Sequence, residues 1–170
     1  EGQLDTKITR QDDGPNHYAF RCKKYLWVII AVAVMLRLAA SVAIGDRVEV
    51  LPGIYDQVSY DMVARQVGAG LGFTVPVDSW PLTRAGEPTA HWSYLYTLYL
   101  TAVYALFGPH PLVARVIQAV LGGILGPWLA YRIGARLFGP VVGLVGAALT
   151  TVYVYFIYYN AALLTETFYI

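Results

Sequence analysis

Residues 25–44 read YLWVIIAVAVMLRLAASVAI, a hydrophobic run that contains one charge, Arg37. Twenty helical residues rise about 30 Å, which matches the hydrocarbon core of a bilayer. The residues just before the run are basic: Arg21, Lys23 and Lys24. Because basic flanks stay in the cytoplasm, we predict a cytoplasmic tail over 1–24 and a transmembrane helix over 25–44. Arg37 would either snorkel to the membrane surface or face a polar cavity.

The composition of the whole chain also indicates a membrane protein. Of its 170 residues, 57% are hydrophobic and 14% are charged, whereas soluble domains carry roughly 25% charged residues. Nineteen of the 23 charged residues lie in positions 1–90, so the second half is almost uncharged. The net charge of +1 gives no reason to expect nucleic acid as a partner. The single cysteine, Cys22, excludes an intrachain disulfide.

Three further hydrophobic stretches follow, at 91–107, 112–131 and 141–159. If all three cross the membrane, Arg132 and Arg136 lie outside, against the positive-inside preference. If 91–107 instead lies along the outer surface, both arginines are cytoplasmic. We favour this second topology because 91–107 is short for a span. It also carries four tyrosines that suit a membrane interface: Tyr94, Tyr96, Tyr99 and Tyr104.

The predicted fold is an all-α polytopic membrane protein, with outer-face juxtamembrane helices in its first extracytoplasmic loop. After the first span, the predicted segments are the loop at 45–110, interfacial helices at about 56–68 and 91–107, spans at 111–131 and 140–160, and the start of a further helix at 161–170. Since the sequence ends inside that last apolar run, we expect it to be a portion of a longer protein.

Within the loop, apolar residues recur at helical spacing over 60–67, with polar residues between them. This pattern predicts a short amphipathic helix that starts near Asp56 and ends at the glycines of 68–72. A carboxylate at the border of lipid and water is costly to desolvate and well placed to accept a proton. Asp56 is therefore a candidate base, although a carboxylate at a helix start also suits a cap for free backbone amides.

A second candidate site lies in the irregular turn before the next helix. Glu87 and His91 are four positions apart, so both could meet one divalent cation if that helix began early enough. Catalytic metals usually have three or more protein ligands, so two ligands are a weak metal signal. A divalent metal ion is the one cofactor for which the sequence gives any indication.

Five short motifs occur in order along the chain. Asp56 is followed by Tyr60, Ala64 and the stretch GAGLGF at 68–73. The later motifs are GEPTA at 86–90, ALFG at 105–108 with Ala114-Arg115, RLFG at 136–139 and LLTE at 163–166. Together they resemble the GT-C membrane glycosyltransferases, in the branch of protein O-mannosyltransferases and bacterial lipid A aminoarabinose transferases. The resemblance covers residues 25–170 and departs from the family where His91-Trp92-Ser93-Tyr94 replaces a proline-rich stretch.

The resemblance implies transfer of a sugar from a polyprenyl-phosphate carrier to an acceptor hydroxyl, on the extracytoplasmic side and with inversion at the sugar carbon. In that reaction Asp56 is the expected base, and Arg115 or a metal ion is expected to neutralise the charge that develops on the lipid phosphate. The other expected contacts to substrate or carrier are Tyr60, Glu87 and Glu166. The expected partners are the polyprenyl-phosphate-linked sugar and membrane lipid.

A different class of function is also consistent with this sequence. The chain could be a catalytically inactive accessory or structural subunit of a larger membrane complex, one that retains the GT-C N-terminal module. Such a subunit would keep the motifs but lack the later helices that enclose a lipid carrier. A transporter is disfavoured because the sequence shows no paired interrupted helices around a central site.

Overall fold

The computed structural model describes residues 15–78 and 83–169 of the chain. Seven helices lie within these residues, and the extended pairings among them are two isolated β-bridges. In order, the helices are α1 (Pro15–Ile44), α2 (Asp56–Gly68), α3 (Tyr94–Phe107), α4 (Pro111–Phe138), α5 (Pro140–Val152), α6 (Val154–Ala161) and α7 (Glu166–Tyr169). The described part of the chain is therefore all-helical, as predicted.

Two of these helices are long and apolar enough to cross a membrane. They are the Cys22–Ile44 part of α1, with 23 residues, and α4, with 28. α5 and α6 together make a third candidate, although their axes are bent by 52°. α3 is apolar but shorter than a span. The chain thus has two or three segments that suit membrane insertion, and the side of the membrane that each end faces stays a prediction.

α1 and α4 pack against each other in opposite directions. Near the end of α1, the Ser41 hydroxyl donates to the backbone oxygen of Arg115 near the start of α4 (3.4 Å). Further down, Gly123 faces Val34, and a Cβ atom at Gly123 would lie 2.8 Å from the Val34 Cα atom, so glycine permits this approach. The topology with a surface helix requires this antiparallel pairing, whereas a crossing by 91–107 would make the two helices parallel.

α2 and α3 pack together beside the paired ends of α1 and α4. α2 covers the residues for which the apolar spacing predicts a helix. Their shared core includes Tyr60, Val63, Tyr96 and Leu100. Three of the tyrosines predicted to face the membrane interface instead donate to other helices: Tyr96 to Gln118 Oε1 (2.8 Å), Tyr99 to the Ala114 oxygen (2.7 Å) and Tyr104 to Asp61 Oδ1 (2.6 Å). The outer-face location of α3 stays a prediction.

The predicted third span, 140–160, is not one continuous helix. α5 ends at Val152 and α6 begins at Val154, with Tyr153 in extended backbone between them (ψ 112°). The other helix bounds differ less: α1 begins ten residues earlier than predicted, at Pro15, and α3 begins at Tyr94. The helix predicted to start at 161 is the four-residue α7.

Candidate functional site

Asp56 is the first residue of α2, and its side chain is exposed. The cap position belongs to Tyr55, and no side-chain hydrogen bond caps this helix end. Asp56 is therefore not the cap that the sequence also allowed. Its negative charge is nonetheless favoured there by the positive end of the helix dipole. Its carboxylate has no hydrogen-bond partner in 15–78 or 83–169 and is open to a ligand.

Tyr60 lies one turn further along α2 and is buried, with 5% of its surface exposed. Its ring packs edge-on against Trp92 and Tyr96, at centroid distances of 5.5 and 4.8 Å. Its hydroxyl oxygen accepts a long hydrogen bond from the Ser93 amide (3.4 Å). Contacts from α2, α3 and the segment before α3 therefore fix the position of this hydroxyl.

Glu166 begins α7, at the far end of the described chain. Its side chain is partly buried, and its Oε2 atom is enclosed with no hydrogen-bond partner in the part of the chain that the structure describes. The adjacent Thr165 side chain approaches the Tyr60 hydroxyl. Because buried polar atoms are almost always hydrogen bonded, the orphaned Glu166 oxygen indicates a place that a ligand or water completes.

Electrostatics connects these three residues. Burial raises the pKa of the Tyr60 phenol, and the charges of Asp56 and Glu166 raise it further. Both carboxylates therefore lie within electrostatic range of one hydroxyl, although they come from opposite ends of the sequence. We call Asp56, Tyr60 and Glu166 the carboxylate site, and the functional role of each stays a prediction.

Arg115, the fourth predicted residue, is completely buried and holds backbone together. Its guanidinium donates to the carbonyl oxygens of Gly45 and Arg47, the latter at 2.8 Å, and to Gln57 Oε1 at 3.2 Å. Its Nε atom has no partner among the described residues. Arg115 thus ties α4 to the connection between α1 and α2 and to Gln57, the residue after Asp56 in the chain. Its three hydrogen bonds are all made to groups of the protein itself.

Two buried glutamines extend this network, and the sequence analysis missed both. Gln57 donates to the Glu49 carbonyl and accepts from the Leu163 amide (3.5 Å), three residues before Glu166. Gln118 donates to the Ala162 carbonyl (3.1 Å) and to the Thr167 hydroxyl (3.2 Å). Both glutamines therefore hold the chain on either side of Glu166. The available signal was the spacing of Arg115 and Gln118, two polar residues on one face of an apolar helix.

Glu87 and His91 lie in the segment that precedes α3. Glu87 is exposed in the turn that follows Arg84, and its amide donates to the Arg84 carbonyl (3.0 Å). The His91 ring packs edge-on against Trp92 at 4.7 Å. Within 15–78 and 83–169, no group of three or more His, Cys, Asp or Glu side chains is placed to hold a metal ion. The metal role of this pair stays a prediction.

A cavity of about 520 Å³ lies between α1, α4, α5, α6 and α7. Its walls are mostly apolar, and its polar members are Arg37, Thr150, Asn160 and Thr167. Thr167 and Phe168, which directly follow Glu166 in the chain, form part of its wall. Volumes of this size hold small ligands or part of a lipid chain.

Comparison with known proteins gives no match: no family model, no curated protein and no solved structure is similar to this chain. The resemblance to GT-C enzymes therefore rests on the sequence motifs alone.

Proposed function

We propose that this chain takes part in glycosyl transfer from a polyprenyl-phosphate carrier to an acceptor hydroxyl, on the extracytoplasmic side and with inversion. The observation that carries the proposal is that the buried Tyr60 hydroxyl, one turn after Asp56, is approached by the Thr165 side chain, the residue before Glu166, and lies within electrostatic range of both carboxylates. An attacking alcohol needs a base and a second group that orients it. The exposed Asp56 carboxylate and the orphaned Glu166 oxygen are the two groups that would fill these roles.

In the proposed reaction the acceptor oxygen attacks the sugar carbon from the face opposite the phosphate. The proton of the acceptor hydroxyl passes to the Asp56 carboxylate as the new carbon–oxygen bond forms. The bond between the sugar carbon and the phosphate oxygen breaks, and the lipid phosphate leaves with that electron pair. Glu166 accepts a hydrogen bond from the acceptor or the sugar, while Tyr60, neutral because burial raises its pKa, can donate one.

The leaving phosphate requires positive charge nearby, and Arg115 is the buried cation that bonds Gln57, the residue after Asp56 in the chain. A direct contact would require Arg115 to release Gly45, Arg47 or Gln57. We therefore assign Arg115 first to positioning the start of α2, with its charge favouring an anion at the site. The apolar cavity, whose wall includes the two residues after Glu166, suits the first prenyl units of the carrier.

A divalent ion at Glu87 and His91 remains part of the proposal as a second source of positive charge. Its test is simple. Turnover that survives chelation of divalent ions, and is unchanged in Glu87→Gln, removes the metal from the mechanism. Turnover that Glu87→Gln lowers, and that added metal restores, assigns Glu87 as a ligand.

The proposal is tested by converting Asp56 to Asn in the complete gene product. The assay follows release of polyprenyl phosphate from polyprenyl-phosphate mannose and from polyprenyl-phosphate aminoarabinose, in membranes that contain a native acceptor mixture. We expect Asp56→Asn to lose at least about 100-fold in turnover, the lower range for loss of a general base, while the protein still inserts and accumulates.

The matched control is Glu49→Gln. Glu49 is an exposed carboxylate in the same connection, and its side chain makes no hydrogen bond with the described residues. Glu49→Gln should keep normal turnover. Normal turnover in Asp56→Asn would refute the base assignment. A wild-type protein that releases no polyprenyl phosphate from either donor, but co-purifies with a larger membrane complex, would favour the accessory-subunit alternative.

A further inference from the structure

The break between α5 and α6 has none of the usual sequence causes. The chain there reads LTTVYVYF over 149–156, without proline or glycine. Yet the axes turn by 52° at Tyr153, whose backbone is extended. Sharp kinks without proline or glycine arise where a side chain or a water enters the helical hydrogen-bond ladder. Non-helical backbone at membrane depth must also find partners inside the protein.

The guanidinium of Arg37, on α1, supplies those partners. It donates to the backbone oxygens of Thr150 (3.1 Å) and Thr151 (3.5 Å). In a continuous helix these two oxygens would accept from the amides of Val154 and Tyr155. Arg37 therefore occupies the acceptors that would otherwise join α5 to α6. The Val154 amide accordingly has no hydrogen-bond partner in the described chain.

The charge of Arg37 is compensated by the same contact. Arg37 is 1% exposed, and no carboxylate lies within ion-pair distance of it among the described residues. The carboxyl end of α5 carries partial negative charge, which favours a cation at this point. The hydroxyls of Thr150 and Thr151 bond back to the Ala147 carbonyl (2.8 Å each), a pattern that bends helices. The arginine is thus an internal cation at a broken helix.

The direction of α6 controls where Glu166 lies. Asn160, near the end of α6, fills the space above Gly122 of α4. The next four residues, 161–164, are all buried, and Gln57 and Gln118 hold them through Leu163 and Ala162. Glu166 follows after one further residue. A straight α5–α6 helix would carry α6 away from Gly122 and would pull Glu166 from the carboxylate site.

We propose that Arg37 is a positioning residue, whose guanidinium replaces the hydrogen-bond ladder between α5 and α6 and so places Glu166 at the carboxylate site. The importance of that placement for turnover rests on the glycosyl-transfer function proposed above. The role of Arg37 in holding the bend does not.

A proline at position 154 tests this role independently of Arg37. Proline has no amide hydrogen, and the Val154 amide is already unbonded. Proline is favoured at the first position of a helix, where Val154 lies, and it requires extended backbone at the preceding residue, which Tyr153 already has. Val154→Pro should therefore enforce the break by covalent geometry, with or without the guanidinium.

The readout is a spin-label distance in the full chain, reconstituted in lipid nanodiscs. Labels replace Val141 and Tyr169, which are 69% and 71% exposed, in a Cys22→Ser background. We expect Arg37→Met to shift or broaden the distance distribution and the double variant Arg37→Met/Val154→Pro to restore it. Arg37→Lys, which keeps the charge but has no planar fork, should fall between. Ala148→Pro is the control for a proline inside α5, and it should not restore the distribution.

An unchanged distribution in Arg37→Met overturns the proposal, and so does a shifted one that Val154→Pro fails to restore. If Arg37→Met does not accumulate, a double variant that accumulates with the native distance supports the proposal, and one that does not overturns it. Where turnover is measurable, Arg37→Met should lower it by up to about 100-fold, because a displacement of a catalytic group by about 1 Å can have an effect of that size. The double variant should recover the turnover of the wild type. Failure of transfer in the wild type would refute the function and leave the distance result intact.

Discussion

Replacing Arg115 by Met tests whether the buried guanidinium holds the carboxylate site together. Methionine keeps an apolar stem of similar length but donates no hydrogen bond. Three acceptors then lose their donor: the Gly45 and Arg47 carbonyls and Gln57 Oε1. An acceptor that loses its donor costs about 1 to 3 kcal/mol of stability. We take about 1 kcal/mol for each acceptor, the low end of this range, because Arg47 is exposed. We expect the free energy of unfolding to fall by about 2 to 3 kcal/mol.

The assay is equilibrium unfolding by SDS in mixed micelles, followed through tryptophan fluorescence. The matched control is Arg132→Met on the same helix. Arg132 is exposed, and its guanidinium lies over the Trp128 ring at 5.6 Å. Loss of that contact should cost only about 0.5 to 1 kcal/mol. An Arg115→Met variant no less stable than Arg132→Met would refute the positioning role, and Arg115 would then be free to bind phosphate directly.

Two further predictions concern the packing of α6 against Gly122 and the pH dependence of stability that arises from Tyr60. Gly122→Ala would place a Cβ atom 1.8 Å from Asn160 Oδ1, so it should lower the free energy of unfolding in SDS by about 1 to 3 kcal/mol. Gly126→Ala is the control, because a Cβ atom there would meet open space, and it should change that free energy by no more than about 0.5 kcal/mol. Equal effects at both glycines would contradict the packing of α6 on α4. Because the folded-state pKa of Tyr60 lies above its unfolded value, its contribution to stability is complete below pH about 10 and is lost as pH rises through the folded pKa. Stability should therefore decline less steeply above pH 10 in Tyr60→Phe than in the wild type; identical slopes would show that the phenol is not perturbed.

Local patterns in the sequence predicted the parts of the fold that local interactions determine. α2 has the predicted bounds because its apolar spacing and the glycines that follow it act within one helix. Charge distribution favoured the topology in which α1 and α4 run antiparallel, and their contacts show that relative direction. Asp56, Tyr60 and Glu166 were singled out because each belongs to a short motif, and their roles stay predictions.

The misses came from contacts between residues far apart in the sequence. The bend at Tyr153 depends on Arg37, which is 113 residues before Thr150, and no pattern within 140–160 reveals it. The sequence showed Arg115 as a charge in an apolar helix but not whether it would meet a phosphate or backbone carbonyls. The hydrogen bonds of Tyr96, Tyr99 and Tyr104 to α2 and α4 were likewise invisible to composition, which suggested only an interfacial position for α3 that stays a prediction.

The proximity of Asp56 and Glu166 is the feature on which the proposed chemistry depends, and cysteine cross-linking measures it directly. Both residues are replaced by cysteine in a Cys22→Ser background, and the membrane-embedded protein is treated with a short bis-methanethiosulfonate reagent. The account predicts rapid cross-linking of the 56–166 pair and little for a 66–166 pair, since Gln66 lies about 15 Å further along α2. No cross-link between positions 56 and 166, or an equal yield for both pairs, would contradict it.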